Sequence, residues 1–460
     1  MSKSCRAAYL ILLVIALSAG GAAGFRSVAA DQGGEDLESL QKELKKSVRW
    51  NDLPGITAVV RKMGEIGTRE AMESLLTVSI AVPESEVYEA IAEGLTTVRS
   101  EEALEFLFDV LRREKKLGKK FDHWRHRVTV AKAFGGRDDE ATIQPLVDAL
   151  TDKTFPVRRQ VLQSLGKRGD RRAVPPILDI LEKEEEAPGV PWEDALQCLR
   201  DITGQDLKAV ADWRNWWEAH GKKGSETTKK PADPSDEEAT QDVSTNFFGV
   251  KIISKRILFV IDVSGSMALW DPGGDGEQPK GSSKGKGETF PRSRQRIQRA
   301  KRELTKAIRE LRPQVKFNII TFSHQLARFK KGKLISATKG NKGKAIQWIQ
   351  RLRAKGGTAT DEALVEALQI PEANTIVLLA DGVVDKPGGD NPTVSMILEQ
   401  VKQLNRFRKM KIYTFGFDGE GKPPPGMQVS RRLTPEILEE FRQMMISLAA
   451  EHEGTYTSIK

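Results

Sequence analysis

The sequence is 460 residues long, which is enough for two or three domains with separate hydrophobic cores. Hydrophobic residues make up 39% and charged residues 30%, as in an ordinary soluble protein with a well-charged surface. The net charge of +9 is small for this length, and no basic stripe with interleaved aromatic residues is evident, so we expect no nucleic-acid partner.

The first 30 residues have the pattern of an export signal. Lys3 and Arg6 form a positive start, residues 7–17 are apolar, and small residues follow. The alternative is an uncleaved N-terminal anchor, because residues 7–25 almost reach the length of a membrane-spanning helix. Either interpretation predicts an exported protein, periplasmic or otherwise extracytoplasmic, with membrane contact only through such an anchor.

Between residues 36 and 221 the sequence consists of helical segments with an internal repeat. I-Q-P-L-V-D-A-L, ending at Leu150, and V-P-P-I-L-D-I-L, ending at Leu181, are separated by 31 residues. This spacing, with two short helices per unit, predicts a stacked α-solenoid that resembles HEAT-type repeats. The predicted units are near 55–80, 87–111, 126–150 and 157–181, followed by a fifth pair that ends with Trp213, Trp216 and Trp217.

Three features of this region are interpreted as structural. The three tryptophans share one helical face and are predicted to cover the open core of the last repeat. His123 and His126 lack a neighbouring Cys or acidic ligand at zinc-site spacing, so a surface position is predicted. Cys198 is the only cysteine after the leader, which excludes an intramolecular disulfide, and its apolar neighbours predict a core position.

A tether and a second domain are predicted next. Residues 222–246 are rich in Lys, Thr, Pro, Asp, Ser and Glu and almost lack large apolar residues, which is typical of a flexible linker. F-F-G-V-K-I-I, from Phe247, is predicted to open the second domain, residues 247–460, as an edge strand.

The most informative segment reads I-L-F-V-I-D-V-S-G-S-M from Ile257. Its continuous apolar run predicts a strand buried on both faces of a mainly parallel sheet. Asp262, Ser264 and Ser266 follow at intervals of two, at the sheet edge where open α/β folds bind ligands. Oxygen ligands without His or Cys suit a hard divalent cation rather than zinc.

Two later motifs extend this one. G-G-T-A-T places Thr358 on a glycine-flanked loop, and T-I-V-L-L-A-D-G places Asp381 at the end of another apolar strand. In this order the three motifs resemble the von Willebrand factor type A (VWA) domain, and the resemblance covers roughly residues 247–460.

The resemblance implies a doubly wound, Rossmann-like α/β fold with a metal-ion-dependent adhesion site (MIDAS). The implied ligands around one cation are Asp262, Ser264, Ser266, Thr358 and Asp381. The implied metal is Mg²⁺, with Ca²⁺ or Mn²⁺ as alternatives, and its open position is expected to accept an Asp or Glu carboxylate from a partner protein. Ala359 departs from some relatives and leaves open whether Thr358 or Thr360 faces the metal.

The remaining sequence alternates helical and strand patterns, as a doubly wound fold requires. The glycine-rich insert at 270–291 carries Asp271, Asp275 and Glu277 but lacks EF-hand spacing, so a solvated loop is predicted. No G-x-G-x-x-G or Walker lysine motif accompanies the first strand, which argues against nucleotide binding.

An enzyme is not expected. Ser264 and Ser266 follow a strand, but D-V-S-G-S lacks the G-x-S-x-G elbow, and nothing in the sequence orients His324 or His452 toward either serine. We therefore predict an exported, non-enzymatic adaptor or adhesion-type protein with a helical-repeat surface and a metal-dependent surface. Two alternatives are an envelope scaffold in which the metal only stabilises the loop edge, and an accessory subunit of an ATPase-driven complex.

Overall fold

The computed structural model describes residues 36–185, 189–221, 244–271, 292–370, 372–382, 384–385, 391–424 and 434–459. The predicted leader, residues 222–243 of the predicted tether and residues 272–291 of the insert lie outside the described residues. The chain splits into two compact units, Met1–Glu185 with Pro191–Glu237 and Glu186–Val190 with Glu238–Lys460. Within the described part of the chain, no helix is long and apolar enough to cross a membrane.

The first unit is helical, as predicted. Its α-helices are α1 (Leu37–Trp50), α2 (Leu53–Ile66), α3 (Arg69–Ala81), α4 (Ser85–Thr96), α5 (Glu101–Arg112), α6 (Gly118–Phe121), α7 (Trp124–Phe134), α8 (Ile143–Ala149), α9 (Phe155–Arg168), α10 (Val174–Glu184), α11 (Val190–Thr203) and α12 (Val210–His220).

Pairs of these helices follow the repeat read from the sequence. Leu107, Leu146 and Ile177 occupy equivalent positions in successive units, and all three are fully buried. The first helices of neighbouring pairs pack tightly, since a Cβ on Gly64 would come within 2.6 Å of the Gly94 Cα. Helix α1 precedes the first predicted unit.

The histidine prediction is half wrong. His123 is exposed, and its side chain accepts a hydrogen bond from the Arg125 N–H at the start of α7. His126 is instead buried, with its ring centroid 5.5 Å from that of Phe121. Phe121 is the last residue of α6 and His126 the third residue of α7, so this ring contact joins the two helices across the bend at residues 122–123.

The two remaining structural predictions for this unit concern Cys198 and the tryptophans. Cys198 is buried, and burial raises the pKa of its thiol far above the usual range. Trp213 is fully buried and its indole N–H donates to the Leu207 carbonyl at 3.0 Å, whereas Trp216 and Trp217 are half-buried.

The second unit alternates strands and helices. Its elements are β1 (Ser244–Phe247), β2 (Val250–Ile253), β3 (Arg256–Asp262), α13 (Arg296–Glu310), β4 (Lys316–Phe322), β5 (Leu326–Arg328), β6 (Ile335–Ser336), α14 (Lys339–Gln350), α15 (Thr360–Gln369), β7 (Thr375–Ala380), α16 (Val394–Asn405), β8 (Lys411–Gly416), α17 (Pro435–Glu451) and β9 (Tyr456–Ser458).

The main sheet has the order β5-β4-β3-β7-β8-β9, with β6 also paired to β4. Strands β4, β3, β7, β8 and β9 run parallel, and only β5 and β6 are antiparallel to β4. The chain passes from β3 to β4 on one side and returns to β7 on the other. The carboxyl ends of β3 and β7 therefore flank a topological switch point, where α/β folds bind ligands.

Strand β3 is buried on both faces, as its apolar run predicted. Ile257, Phe259 and Ile261 pack in one cluster with α13 and α14, while Leu258 and Val260 pack in the other with α15, α16 and α17. The mainly parallel sheet between two helical layers confirms the predicted fold class.

The start of this unit differs from the expectation. F-F-G-V-K-I-I does not form an edge strand of the main sheet, because β1 and β2 pair with each other in an antiparallel hairpin. Phe248 and Gly249, with φ of 45° and 80°, form the left-handed turn between them. The hairpin begins at Ser244, so residues 244–246 belong to a strand and not to the tether.

Candidate metal centre

Two aspartates end neighbouring parallel strands at the switch point. Asp262 is the last residue of β3, and Asp381 follows the last residue of β7. The pairing of Ile261 with Leu379 brings these two strand ends side by side. Both carboxylates are fully buried.

Hydrogen bonds join the two serines to these aspartates. The Ser264 N–H donates to Asp262 Oδ1 at 2.7 Å, and the two serine Oγ atoms lie 3.0 Å apart. The Ser266 hydroxyl donates to Asp381 Oδ1 at 2.7 Å. The structure thus brings together four of the five side chains that the resemblance implied.

Thr358 lies on a loop attached to the serine loop through the backbone. The Lys355 N–H donates to the Val263 carbonyl at 2.9 Å, and the Gly265 N–H donates to the Gly356 carbonyl at 2.8 Å. Thr358 is buried, but no hydrogen bond links its hydroxyl to the other four side chains, all of which belong to the described residues.

Thr360 occupies the first turn of α15 and is also buried. Its Oγ has no hydrogen-bond partner within the described ranges. A threonine hydroxyl is therefore available at both positions, and which of the two faces the cation stays a prediction.

The charged form of Asp262 is less well stabilised by its surroundings than that of Asp381. Its Oδ2 is buried without a hydrogen-bond partner in the described part of the chain. Burial raises the pKa of Asp262 well above its usual range, and the charge of Asp381 raises it further. Hydrogen bonds from Ser264 oppose these effects. A buried carboxylate with a free oxygen is a strong attractor for a cation.

Asp381 is partly neutralised by a residue that the sequence analysis missed. The guanidinium of Arg296 is fully buried, and its Nη1 lies 3.1 Å from Asp381 Oδ2. The same group donates from Nε and Nη2 to Asp271 Oδ1 at 3.0 and 2.9 Å. Burial raises the pKa of Asp381, and Arg296 offsets that rise.

Asp271 corrects the interpretation of the insert. It was predicted to lie in a solvated loop, yet it is 8% exposed and also accepts from Arg299 at 3.2 Å. The backbone beside it is held as well, since Trp270 and Lys422 exchange N–H to carbonyl hydrogen bonds of 3.0 and 2.7 Å. Trp270 and Asp271, the first two residues of the insert, are therefore held by backbone hydrogen bonds and by ion pairs.

The two histidines considered as bases do not contact the serines. His324 is exposed at the end of β4, beside Gly356. The Nδ1 of His452 lies 3.2 Å from the Asn405 amide nitrogen, near the end of α16. Burial lowers the pKa of His452 to about 4.

The donor set fits a hard cation. The candidate ligands are two carboxylates and hydroxyl groups, all oxygen donors, as Mg²⁺ and Ca²⁺ prefer. No cluster of three or more His, Cys, Asp and Glu suited to a metal is found in the described ranges, so the hydroxyls would have to contribute. The unpartnered Asp262 oxygen is the atom whose burial a cation would compensate.

Comparison with known families agrees with this architecture. Residues 114–189 match HEAT repeats, and residues 257–383 match the von Willebrand factor type A domain. The chain thus contains a HEAT repeat region followed by a VWA domain, which confirms the family prediction.

Individual relatives match only a part of the chain. It is 31% identical over 180 residues to inter alpha-trypsin inhibitor, heavy chain 4 of Mus musculus, covering 36% of this chain and 16% of that protein. It is 26% identical over 102 residues to von Willebrand factor A domain-containing protein 3A of Homo sapiens, covering 22% of this chain and 8% of that protein. A solved von Willebrand factor type A structure from Catenulispora acidiphila is 21% identical, with a TM-score of 0.31, and the match covers 46% of this chain and 40% of that chain.

Proposed function

We propose that this chain is a non-enzymatic adaptor that binds a protein partner through a divalent cation at the switch point. The proposed ligands are Asp262, Ser264, Ser266, Thr358 and Asp381. The VWA match and the resemblance to inter-alpha-trypsin inhibitor heavy chains support a protein-interaction role. The single observation that carries the metal assignment is the buried, unpartnered Oδ2 of Asp262.

The residues around the site explain why the cation would still accept a ligand. Arg296 offsets the charge of Asp381, so the two carboxylates together present only about one net negative charge to a metal. The serine hydroxyls add donors without adding charge. A cation held in this way supplies an electrophilic centre for a carboxylate of the partner.

Calorimetry on the full-length protein tests the metal site. Wild-type protein is expected to take up one Mg²⁺ or Mn²⁺ ion, and Asp262→Ala is expected to abolish uptake. A matched control is Asp418→Asn, because Asp418 is a buried carboxylate at the end of β8 that already accepts from Tyr456 and Ser458. Absence of divalent uptake by the wild-type protein would refute the proposal.

The partner is tested separately by affinity capture with mass spectrometry, with and without EDTA. Proteins retained by the wild type should be lost in EDTA and with Asp262→Ala. If the captured set is the same under all three conditions, the cation does not mediate partner binding.

A scaffold role, with a metal that only stiffens the loops, is less well supported. A connected set of hydrogen bonds already holds this edge without a cation. It joins the side chains of Ser264, Ser266, Asp381 and Arg296. A stiffening metal would raise thermal stability and leave partner capture unchanged, so the two experiments together separate the roles.

We also propose export and the domain limits. The leader-like residues 1–30 support export, the helical repeats at 36–221 would supply a second protein-binding surface, and the VWA domain would begin with the hairpin at Ser244. Fractionation of cells and mass spectrometry of the mature N-terminus test export. Recovery of the chain in the cytoplasm would favour the ATPase-accessory alternative.

A further inference from the structure

One segment of the VWA unit has a strongly one-sided charge. Residues 311–360 contain twelve Lys and Arg and no Asp or Glu, whereas acids make up 64 of the 460 residues of the chain. About seven acids would be expected in a segment of this length at that average. The overall charge hides this asymmetry, which is why composition alone did not reveal it.

Seven of these cations are exposed and form no ion pair with any described residue. We call them the cationic flank, and they are Lys331, Lys333, Lys339, Lys344, Arg351, Arg353 and Lys355. Two others of the twelve are neutralised, Lys316 by Glu372 and Arg328 by Glu366. An unneutralised run of this size creates a potential that attracts polyanions.

The fold places the cationic flank on one side of the sheet. Strands β5 and β6 both pair with β4, and the turn between them carries Lys331 and Lys333. Phe329, in the same turn, packs on Trp348 of α14 with ring centroids 5.9 Å apart. The lysines of the turn and those of α14 therefore belong to one continuous surface.

This surface extends to the candidate metal centre. Helix α14 starts beside the beginning of β4, where the Ala337 N–H donates to the Val315 carbonyl at 2.8 Å. After the helix, the Lys355 N–H donates to the Val263 carbonyl, one residue from Asp262. A helix of this length spans about 18 Å, so the flank connects the far edge of the sheet with the metal edge.

The outer face of α14 has no side chain at two positions. Gly340 and Gly343 are exposed, and a Cβ at either position would meet nothing within 4 Å. Glycine weakens a helix by roughly 0.5–1 kcal/mol relative to alanine, so these positions give up helix stability. The absence of side chains lets an extended polypeptide lie close to the helix between the lysines.

The surroundings of the cationic flank favour a polypeptide over nucleic acid. Five of the seven cations are lysines, whose ammonium groups act as compact point charges and pair with single carboxylates without a fixed geometry. Phe329 and Trp348, the aromatic residues beside these cations, are half-buried and pack on each other, which leaves little exposed ring area for bases to stack on.

We propose that the cationic flank binds an acidic polypeptide segment of the partner protein, which runs along α14 towards the metal edge. One carboxylate of this segment would reach the cation of the proposed function, and its other carboxylates would contact the lysines. The first contact rests on the proposed function, whereas the second depends on the flank alone.

The test uses the full-length protein and a fluorescent oligoglutamate of about twelve residues, which is longer than α14 when extended. Fluorescence anisotropy should show binding that weakens steeply between about 50 and 300 mM NaCl. Lys339→Glu with Lys344→Glu should weaken it about tenfold or more. The matched control Lys46→Glu with Lys402→Glu changes the net charge equally at exposed sites outside the flank, and it should have less than about a twofold effect.

Metal dependence is measured in the same assay. EDTA should weaken oligoglutamate binding and leave a salt-sensitive remainder, while Lys339→Glu with Lys344→Glu should keep Mg²⁺ uptake at the wild-type level. If EDTA has no effect on binding but the lysine variant weakens it, the proposed contact with the cation is refuted, whereas binding by the cationic flank is supported. If the lysine variant binds as tightly as wild type, the flank proposal is overturned.

Competition identifies the kind of polyanion. Unlabelled oligoglutamate is expected to displace the fluorescent oligoglutamate more effectively than duplex DNA, heparin or vesicles of anionic phospholipid do at equal charge. Tighter, Lys344-dependent binding of any of these three would overturn the assignment to an acidic polypeptide.

Discussion

At the scale of single residues, the two central aspartates are treated differently by their surroundings. Asp381 accepts from Ser266 and pairs with Arg296, whereas Asp262 leaves one buried oxygen without a partner in the described part of the chain. A buried charge without full compensation destabilises the folded state. Asp262 is therefore expected to lower the stability of the metal-free VWA unit.

Asp262→Asn is expected to raise the stability of the metal-free protein by about 1–2 kcal/mol, because it removes a buried charge and its repulsion with Asp381. The same change should abolish stabilisation by Mg²⁺. Thermal unfolding with and without Mg²⁺ measures both effects. A metal-free Asp262→Asn protein that is less stable than wild type would contradict this account.

Asp381→Asn is the matched comparison at the neighbouring strand. It leaves buried Arg296 with Asp271 as its remaining carboxylate partner, so a loss of about 2 kcal/mol is expected. The two substitutions remove equal charge, and opposite effects on stability would identify pairing with Arg296 as the cause.

The sequence showed the candidate ligands but not the residues that hold them. Asp262, Ser264 and Ser266 were readable because they follow a strand in one short motif. The Arg296 contacts join residues 25 and 85 positions apart, and no local pattern reports such a pairing. Arg296 also lies at the start of a helix whose other residues fit a plain amphipathic pattern.

At the scale of elements, the loop that carries Thr358 depends on one glycine. Gly356 has a φ of 81°, and a Cβ there would overlap the ring of His324. Its carbonyl also accepts from the Gly265 N–H in the serine loop. Strain at this position would therefore act directly on the candidate metal site.

Gly356→Ala is expected to destabilise the VWA unit by about 1–2 kcal/mol and to weaken Mg²⁺ uptake, since a left-handed φ and a steric overlap act together. Gly340→Ala is the matched control, because this helical glycine has open space and alanine should stabilise it by roughly 0.5–1 kcal/mol. Calorimetry of unfolding and of Mg²⁺ binding checks both. Equal effects of the two substitutions would exclude the proposed strain.

Elements were predictable where a pattern repeats or continues. The solenoid helices were readable because each unit buries the same helical face, and β3 because both its faces are apolar. The β1–β2 hairpin was not, because F-F-G-V-K-I-I resembles one continuous strand unless Phe248 adopts a left-handed φ. His126 was misplaced because burial against Phe121 depends on a bend between two helices.

His126 is expected to make the first unit sensitive to acid. Burial lowers its pKa to about 4, with a smaller contribution from His123, and its Nδ1 has no hydrogen-bond partner in the described part of the chain. The folded state binds fewer protons than the unfolded state, so stability is present above the unfolded pKa of about 6.5 and falls as the pH drops towards 4. A loss of about 2 kcal/mol by pH 5 is expected.

Urea unfolding followed by tryptophan fluorescence measures this loss, because six of the eight tryptophans lie in the first unit. His126→Leu should reduce the pH dependence between pH 7 and about pH 5. His220→Gln, at an exposed histidine of the same unit, is the control and should leave it unchanged. A His126→Leu protein with the wild-type pH profile would show that another group is responsible.

At the scale of the whole molecule, the described residues form two units, each with its own hydrophobic interior. The first unit has a core of helical repeats that includes Leu107, Leu146 and Ile177, and the second has a core on each side of a parallel sheet. The sequence predicted this division from the repeat, the polar segment after residue 221 and the strand at Ile257. The candidate metal residues all belong to the second unit.

A ligand that binds only one unit stabilises that unit by mass action. We therefore expect two unfolding transitions in calorimetry. Mg²⁺ should raise the midpoint temperature of only one of them, and Asp262→Ala should remove that shift. Trp213→Ala identifies the other transition, because truncating a fully buried tryptophan of the first unit should cost about 3–5 kcal/mol there. If Mg²⁺ shifts the transition that Trp213→Ala lowers, the cation binds outside the VWA unit, and the assignment of its ligands is wrong.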